Sequence, residues 1–285
     1  MKNIIIVNKE DLNEKKKTIA KDGADKLHIL SDFDRTLTRA FVDGEKTPSI
    51  ISELRKGNYI SEDYAKEATA LADKYHPIEV NLTIPHEKRK KARYEWWSKH
   101  FELLIRSGLN KKYLEEIIEK GKIKFRRGSP YFLDLLYEKD IPLVIISSAG
   151  LGGDSISIFL EKNRKMYNNI NIISNVYEWD KNGDAIRVKK PIIHVMNKAE
   201  TVLKDYPLIF NKIKNRKNVI LLGDNLEDIE MIEGFDYKDL IKIGFLNENV
   251  RENLEAYKKN YDIILTNDTS MDYVNKLLKE ILSKK

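Results

Sequence analysis

The sequence of 285 residues contains no cysteine. This absence excludes disulfide bonds, thiolate metal sites and a cysteine nucleophile, and it is typical of proteins from a reducing compartment. No apolar run approaches the roughly 20 residues that a membrane-spanning helix needs. The apolar segment 1–7 has an acidic flank and lacks the basic start and cleavage site of a signal peptide, so we interpret it as an edge strand. These absences predict a cytoplasmic protein with no membrane partner.

Charge of one sign is not concentrated anywhere beyond short runs such as residues 88–91. The 51 Lys and Arg residues exceed the 45 Asp and Glu residues by a net charge of +6. Interspersed charges of both signs are typical of a solvated surface, so nucleic acid is not an expected partner, although a mild positive field would attract anionic phosphoesters. A basic nucleic-acid-binding protein is the non-enzyme alternative, and it would bind polynucleotide without magnesium in a salt-dependent way.

Short apolar runs that end in small or polar residues recur along the chain, separated by stretches of helical periodicity. The runs are residues 27–30, 142–146, 170–173, 219–222, 241–245 and 261–265. Strands rich in Val, Ile and Leu that alternate with helices predict an α/β fold with a doubly wound parallel sheet, covered on both faces. In such sheets ligands bind beyond the carboxyl ends of the strands, which is where polar residues follow these runs.

Residues 41–127 differ in character from the rest of the chain. Their amphipathic helical patterns cover residues 48–74, 87–107 and 111–120. We therefore expect a helical cap at 41–127, inserted after the first strand of a core domain whose two parts are residues 1–40 and 128–285. Further along, Asn182-Gly183 predicts a β-hairpin within residues 176–188, because both residues tolerate positive φ.

Asp32 and Asp34 follow the apolar run at 27–30. Two carboxylates two residues apart on extended backbone project the same way. One can then attack phosphorus while the other handles the proton of the leaving group, provided that a divalent cation brings the carboxylate up to a phosphate dianion. An ordinary Asp-rich turn or helix cap is the alternative for this motif alone. The buried strand before it and Thr36 after it favour the catalytic interpretation.

Three further elements carry residues suited to phosphate chemistry. Asp224 and Asp228 follow the run at 219–222 and could complete an all-oxygen magnesium site, although a Gly-Asp turn that caps a helix is the alternative. Residues 147–153 offer hydroxyls and backbone N–H groups for a phosphate, although glycines also simply reverse a chain. Lys198 could offset charge on phosphoryl oxygens, but its spacing alone does not distinguish it from a solvated lysine.

Histidine and tryptophan define no site by their spacing. The five histidines are scattered, without a pair at metal-binding spacing, so a core, cap or surface role is expected for each. Trp96 and Trp97 lie within the helical insertion, where packing in a core or between domains is expected and stacking on a base is the alternative.

The four elements in this order resemble the four motifs of the haloacid dehalogenase superfamily: Asp-x-Asp-x-Thr, a strand-end Ser, a Lys, and Gly-Asp-x-x-x-Asp. Within it, the chain resembles the pyrimidine 5′-nucleotidase family of the cytosolic 5′-nucleotidase III type, from about Leu30 to the C-terminus. Several similar segments fall in the insertion, which general superfamily members do not share. The segments are Asp32–Thr38, Tyr75–Val80, Glu95–Trp97, Ser148–Gly150, Ile193–Lys198, Val219–Asp228, Ile243–Asn247 and Tyr261–Ile263.

The resemblance implies a Mg²⁺-dependent phosphatase with a Rossmann-like core that acts on nucleoside 5′-monophosphates, with pyrimidine nucleotides as the expected small-molecule substrates. Asp32 would be the catalytic nucleophile and Asp34 the general acid and base. Mg²⁺ would be held by Asp32, the backbone carbonyl of Asp34 and Asp224, with Asp228 supporting them. A phosphatase for another small phosphoester, or a phosphotransferase that passes the group to a second nucleoside, would share every catalytic residue. The oligomeric state is left open.

The resemblance also assigns substrate contacts. Ser148, Ala149 and Lys198 would hold the phosphate, and we favour Ser148 over the adjacent Ser147 as the serine that faces it. Glu79 matches the residue that contacts the nucleobase in this family.

Counting forward from Glu95, His100 falls where the family often has a serine of the substrate pocket. An imidazole is bulkier than a hydroxyl and can stack, so the base preference stays open at this point.

Overall fold

The computed structural model describes residues 3–57, 59–81, 83–198 and 206–283. The strands are β1 (Ile4–Ile6), β2 (Leu27–Ser31), β3 (Phe41–Val42), β4 (Glu45–Lys46), β5 (Leu143–Ile146), β6 (Ile170–Ile173), β7 (Tyr177–Trp179), β8 (Ala185–Val188), β9 (Asn218–Gly223), β10 (Asp239–Leu246) and β11 (Ile263–Thr266). The helices are α1 (Lys9–Asp22), α2 (Ile50–Lys56), α3 (Glu62–Val80), α4 (His86–Arg106), α5 (Lys111–Glu119), α6 (Ser129–Glu138), α7 (Gly152–Lys162), α8 (Pro207–Ile213), α9 (Val250–Asn260) and α10 (Asp272–Leu282).

Seven strands form the main sheet in the order β1-β11-β10-β9-β2-β5-β6. All neighbouring pairs are parallel except β1 with β11, which is antiparallel. The α/β fold class and the edge strand at the N-terminus are thereby confirmed. Among the described helices, none combines the length and the apolar character needed to cross a membrane.

Alternate residues of the central strands face two separate apolar cores. Ile220 and Leu222 of β9 belong to one core, and Val219 and Leu221 belong to the other. Helices α1, α6, α7 and α10 contribute to the first core, and α8 and α9 contribute to the second. The strands are therefore buried on both faces, which explains why β2, β5 and β9 are apolar runs without alternation.

Helices α2 to α5 follow β2 and precede α6, within the predicted insertion. The single periodic pattern at 48–74 was expected to be one helical stretch, but it forms two helices. Gly57 ends α2, and the Ser61 side chain caps α3 by accepting a hydrogen bond from the Tyr64 N–H. Helix α3 then continues through Pro77, so Glu79 lies on a helix. The division into core and cap at residues 40 and 127 stays a prediction.

The chain leaves and re-enters the main sheet along two adjacent segments. The Arg39 N–H donates to the Lys124 carbonyl at 3.0 Å, and the Arg126 N–H donates to the Leu37 carbonyl at 2.9 Å. Later in the chain, β7 and β8 form the predicted hairpin, with Gly183 at a φ of 82°. The two ends of residues 41–127 are thus fixed next to the loop that carries Asp32 and Asp34.

Candidate active site

Three neighbouring strands of the main sheet deliver polar residues to the same edge. Strand β2 pairs in parallel with both β5 and β9. Asp32 follows β2, Ser147 follows β5 and Asp224 follows β9, so their backbones end side by side. A cavity of about 290 Å³ opens there, lined by Asp32, Asp34, Ser147, Ser148, Ala149, Lys198 and Asp224 among others. The structure therefore brings the predicted catalytic, phosphate-binding and metal-binding residues together.

An acidic cluster lies at the floor of this cavity. One carboxylate oxygen from each of Asp32, Asp224 and Asp228 lies within 4.8 Å of the others. Asp228 is fully buried, and its Oδ2 accepts hydrogen bonds of 3.0 Å from the backbone N–H groups of Asp224 and Asn225. Asp228 thereby fixes the loop that presents Asp224. Hard divalent cations bind at such oxygen sets.

Lys198 connects two members of the cluster. Its Nζ donates hydrogen bonds of 2.7 Å to Asp32 Oδ1 and to Asp228 Oδ1, and its side chain is only 2% exposed. Burial alone would lower the pKa of Lys198, but the charges of Asp228 and Asp32 outweigh it and raise that pKa above the ordinary value. The ammonium group therefore stays protonated at neutral pH.

The Lys198 ammonium does not balance the carboxylates around it. Burial raises the pKa of Asp32 to about 7. The charge of Lys198 opposes this increase, and the charge of Asp228 adds to it. Burial also raises the pKa of Asp34, and burial with repulsion from Asp32 and Asp228 raises that of Asp224 far above its usual range. Such a site gains from a bound cation, which would favour the ionised carboxylates.

The loop after β5 supplies polar groups opposite the acidic cluster. Ser147 and Ser148 both line the cavity, but Ser147 is buried and its N–H is bonded to the Ile173 carbonyl within the sheet. Ser148 is the more exposed of the two. Asn175, which sequence reasoning missed, braces this loop because its side-chain amide contacts the Ala149 carbonyl and bonds both backbone groups of Ile193.

The helical insertion forms the opposite wall of the cavity. Ile51 of α2 and both Arg93 and Trp97 of α4 line it. Glu79 is about one-fifth exposed, and its carboxylate forms an ion pair with Arg93. Arg93 lines the cavity whereas Glu79 does not, so the charge that this pair presents to the cavity is the positive charge of the arginine.

His100 does not reach the cavity wall formed by the described residues. It is 5% exposed, its Nε2 lies 3.3 Å from the Tyr64 hydroxyl, and its ring meets that of Trp97 at a centroid distance of 5.9 Å. Burial, reinforced by the charge of Arg55, lowers the pKa of His100 to about 4, so the imidazole is neutral at physiological pH. His100 therefore supports Trp97 from within the insertion.

Arg126 is another residue that sequence reasoning missed. It is 1% exposed, and its guanidinium donates to the backbone carbonyls of Arg35, Thr36 and Thr269 and pairs with Asp268 at 3.0 Å. Asp268 in turn accepts from the backbone N–H groups at the start of the insertion. Arg126 therefore holds the loop after Asp34 next to both ends of the insertion, and no local sequence pattern indicates this role.

A doubly wound sheet with Asp32, Ser148 and Asp224 at neighbouring strand ends, and with Lys198 bonded to Asp32, defines an α/β phosphatase with the haloacid dehalogenase fold. The same fold occurs in a phosphoserine phosphatase solved as a phospho-aspartyl intermediate analogue. That structure has a TM-score of 0.52 at 18% identity and covers 88% of this chain and 97% of the other.

The chain belongs to the pyrimidine 5′-nucleotidase (UMPH-1) family, whose model matches residues 35–282, and it is a 5′-nucleotidase, a phosphoric monoester hydrolase. It is 35% identical over 276 residues to 7-methylguanosine phosphate-specific 5′-nucleotidase A of Xenopus laevis, covering 96% of this chain and 94% of that protein. The Homo sapiens 7-methylguanosine phosphate-specific 5′-nucleotidase is 35% identical over 265 residues, which cover 93% of this chain and 87% of that protein. The crystal structure of cytosolic 5′-nucleotidase IIIB bound to cytidine matches with a TM-score of 0.90 and 26% identity. The match covers 100% of this chain and 95% of the other.

Proposed function

We propose that this chain is a magnesium-dependent phosphohydrolase that releases phosphate from nucleoside 5′-monophosphates through a phosphoaspartyl intermediate on Asp32. The observation that carries the proposal is the meeting of Asp32, Asp224 and Asp228 within 4.8 Å, at a cavity that Asp34, Ser148 and Lys198 also line. A nucleophile, an acid, a phosphate-binding loop and a cation site are all needed for phosphoryl transfer, and each has a candidate here.

Mg²⁺ fits the donor set of this cavity, because it prefers carboxylate and carbonyl oxygens. The raised pKa values of Asp32 and Asp224 support the fit, since a divalent cation would favour their ionised forms. We assign the carboxylates of Asp32 and Asp224 and the backbone carbonyl of Asp34 as its ligands, with Asp228 holding the Asp224 loop. When bound, the ion offsets the repulsion between Asp32 and a phosphate dianion.

The residues of the chain then perform two displacements at phosphorus. The Asp32 carboxylate attacks phosphorus in line, the bond from phosphorus to the 5′-oxygen breaks, and Asp34 gives its proton to the departing nucleoside oxygen. Asp34 then takes a proton from the water that attacks the aspartyl phosphate, which releases phosphate and restores Asp32. The raised pKa of Asp34, caused by burial, supports its role as the acid of the first step.

Lys198 and the loop after β5 hold the phosphoryl group in this scheme. Lys198 offsets the charge that develops on its oxygens, and Ser148 and the Ala149 N–H bind it from the other side. Both Ser148 and Ala149 line the cavity. The greater exposure of Ser148 supports our preference for it over Ser147.

Residues 41–127 act as the cap in this proposal, and they exclude water and contact the base. Trp97 and Arg93 line the cavity on this side, Glu79 acts on the base site through Arg93, and His100 acts through Trp97. Pyrimidine nucleotides are the proposed substrates, which agrees with the description of the family model and with the cytidine bound to the similar structure. We place the enzyme in the cytoplasm.

The experiment that tests this function is a phosphate-release assay on a panel of nucleoside monophosphates and sugar phosphates, with Mg²⁺ and with EDTA. We expect Mg²⁺-dependent release from nucleotides, and complete loss of turnover in Asp32→Asn with an unchanged circular dichroism spectrum. Retained nucleotide hydrolysis in Asp32→Asn would refute the nucleophile assignment. An added nucleoside acceptor distinguishes hydrolysis from phosphotransfer, because the acceptor would appear phosphorylated.

A further inference from the structure

Arg93 places a positive charge in the cavity wall that the insertion forms, the side on which the proposed function puts the base of a nucleotide. It belongs to α4, one helical turn before Trp97, and both side chains line the same cavity as the phosphate-binding loop. The Arg93 side chain is 13% exposed. Burial lowers its pKa while the carboxylates of Glu79 and Glu227 oppose that decrease. A guanidinium keeps its proton in proteins, so Arg93 is a cation in this wall.

The aromatic surface next to the cavity already has a cation on it. The guanidinium carbon of Arg93 lies 5.3 Å from the ring centroid of Trp96 and 5.9 Å from that of Trp97. These are distances at which a cation is attracted to the face of an aromatic ring. A positively charged base that stacked on Trp97 would therefore lie close to the Arg93 cation and would be repelled by it.

The Glu79 carboxylate on the neighbouring helix α3 is also engaged. Glu79 forms its ion pair with Arg93, so its negative charge is balanced before a substrate enters. A cationic base such as 7-methylguanine would need to separate this pair to gain the carboxylate. Separating a largely buried ion pair is unfavourable unless both partners find new ones.

Within the described part of the chain, Arg93 and Trp97 each keep one N–H without a hydrogen-bond partner, and a base would reach these buried atoms only after the side chains shift. These groups are the Nε–H of Arg93 and the indole N–H of Trp97. A guanidinium donates to ring nitrogen and carbonyl acceptors, as in the bidentate contact of arginine with O6 and N7 of guanine. Methylation at N7 removes that acceptor and adds a positive charge.

We propose that Arg93 makes the base site selective for neutral nucleobases that present hydrogen-bond acceptors and selective against cationic 7-methylguanine. This inference rests on the proposed function, because it concerns which nucleoside monophosphates the same cavity accepts. Such a base preference would distinguish this chain from the relatives whose names specify 7-methylguanosine phosphate.

The test compares GMP with 7-methyl-GMP, which differ only by a methyl group and its charge, with CMP added to the panel. The measured quantity is the ratio of kcat/KM for 7-methyl-GMP to that for GMP, which is insensitive to a general loss of activity. We expect the full chain with Mg²⁺ to prefer GMP and CMP over 7-methyl-GMP, and Arg93→Met to raise the ratio by about tenfold or more. Arg93→Lys keeps the charge and should retain most of the wild-type preference.

Two further variants locate the effect. Arg89→Met is the matched control, because Arg89 precedes Arg93 by one turn and touches the Glu79 carbonyl at 3.4 Å without lining the described cavity. It should keep the wild-type ratio. In Arg93→Met the freed Glu79 carboxylate is available to a cationic base, so adding Glu79→Gln should remove the gain.

A wild-type preference for 7-methyl-GMP, or a ratio in Arg93→Met within about twofold of wild type, would overturn the role of Arg93. If the wild-type enzyme released phosphate from sugar phosphates but from no nucleotide, the proposed function itself would fail and this inference with it. Adding sugar phosphates to the panel of GMP, 7-methyl-GMP and CMP therefore distinguishes the two failures.

Discussion

Lys198 is the residue on which the charge balance of the active site depends. It is the ammonium that bonds Asp32 and Asp228 at once, and all three side chains are less than one-tenth exposed. Removing one partner from a buried charged network leaves the other charges uncompensated, which costs far more than an exposed ion pair contributes.

We expect Lys198→Met to lower the free energy of unfolding by about 3 to 5 kcal/mol without Mg²⁺, and to reduce kcat by about 100-fold or more. Because Asp32 and Asp228 would then lose the ammonium that bonds them both, Mg²⁺ should raise the unfolding temperature of the variant more than that of the wild type. Thermal unfolding with and without Mg²⁺, together with steady-state rates, measures both effects.

Lys212→Met is the control for this variant, since Lys212 bonds the neutral Asn171 side chain at 2.9 Å away from the cavity residues. It should show neither the loss of activity nor the larger Mg²⁺ response. An unfolding temperature of Lys198→Met that equals the wild-type value without Mg²⁺ would contradict this account of the charge balance.

At the scale of elements, the insertion contacts the phosphate-binding loop at Gly150. A Cβ atom at this position would lie 2.8 Å from Ile51 Cδ1 and 2.8 Å from Trp97 Cζ3, which is closer than carbon atoms approach. Glycine is therefore required here by the contact between α2, α4 and the loop after β5.

We predict that Gly150→Ala raises KM for nucleoside monophosphates by about tenfold, because the added methyl group pushes Ile51 and Trp97 away from the loop. Steady-state kinetics measures the change, and a second substitution, Ile51→Ala, should restore part of it. Gly153→Ala is the matched control, because its Cβ would meet Ile172 at an ordinary 3.4 Å. Equal KM values for the two glycine variants would argue against this contact.

The order of strand, polar residue and helix made part of the site predictable. Asp32, Ser147 and Asp224 each follow an apolar run, and parallel strands place their carboxyl ends at one edge, so their convergence followed from the sequence pattern. The break between α2 and α3 was not predicted, because the apolar spacing continues across it and only Gly57 and Ser61 mark it.

Contacts between distant segments were beyond the reach of sequence reasoning. The bond from Lys198 to Asp32 spans 166 residues, and the bond from Arg126 to the Thr36 carbonyl spans 90. Nothing in the neighbouring residues distinguishes these cations from solvated ones, because their burial is produced by the assembled sheet. The position of Arg93 between Glu79 and the cavity depends in the same way on the packing of α3 against α4.

At the scale of the whole molecule, buried neutral histidines make stability depend on pH. His28 of β2 is 2% exposed, its Nδ1–H donates to the Arg216 carbonyl at 2.8 Å, and burial lowers its pKa from 6.5 to about 4. The unfolded chain binds a proton below pH 6.5, whereas the folded chain does so only near pH 4. Stability from this group is therefore complete above pH 6.5 and is lost as the pH falls toward 4.

We predict that proton uptake by His28 on unfolding decreases the free energy of unfolding by about 2 kcal/mol as the pH falls from 7 to 5. Urea unfolding across this range should show a shallower decrease in His28→Gln, whatever the stability of that variant at pH 7. His86→Gln, at a side chain 47% exposed, should follow the wild-type pH dependence. Parallel curves for wild type and His28→Gln would contradict the assignment.

The antiparallel edge strand β1 has a consequence for the behaviour of the chain in solution. It covers β11, whose residues Ile263, Ile264 and Leu265 are fully buried, and its flanks bond Asp262 and Thr266. Without these few residues, β11 would expose unpaired backbone groups and apolar side chains, which are a template for pairing with another chain. A protein trimmed before Val7 would keep every residue of the active site and would still tend to aggregate through its open sheet edge.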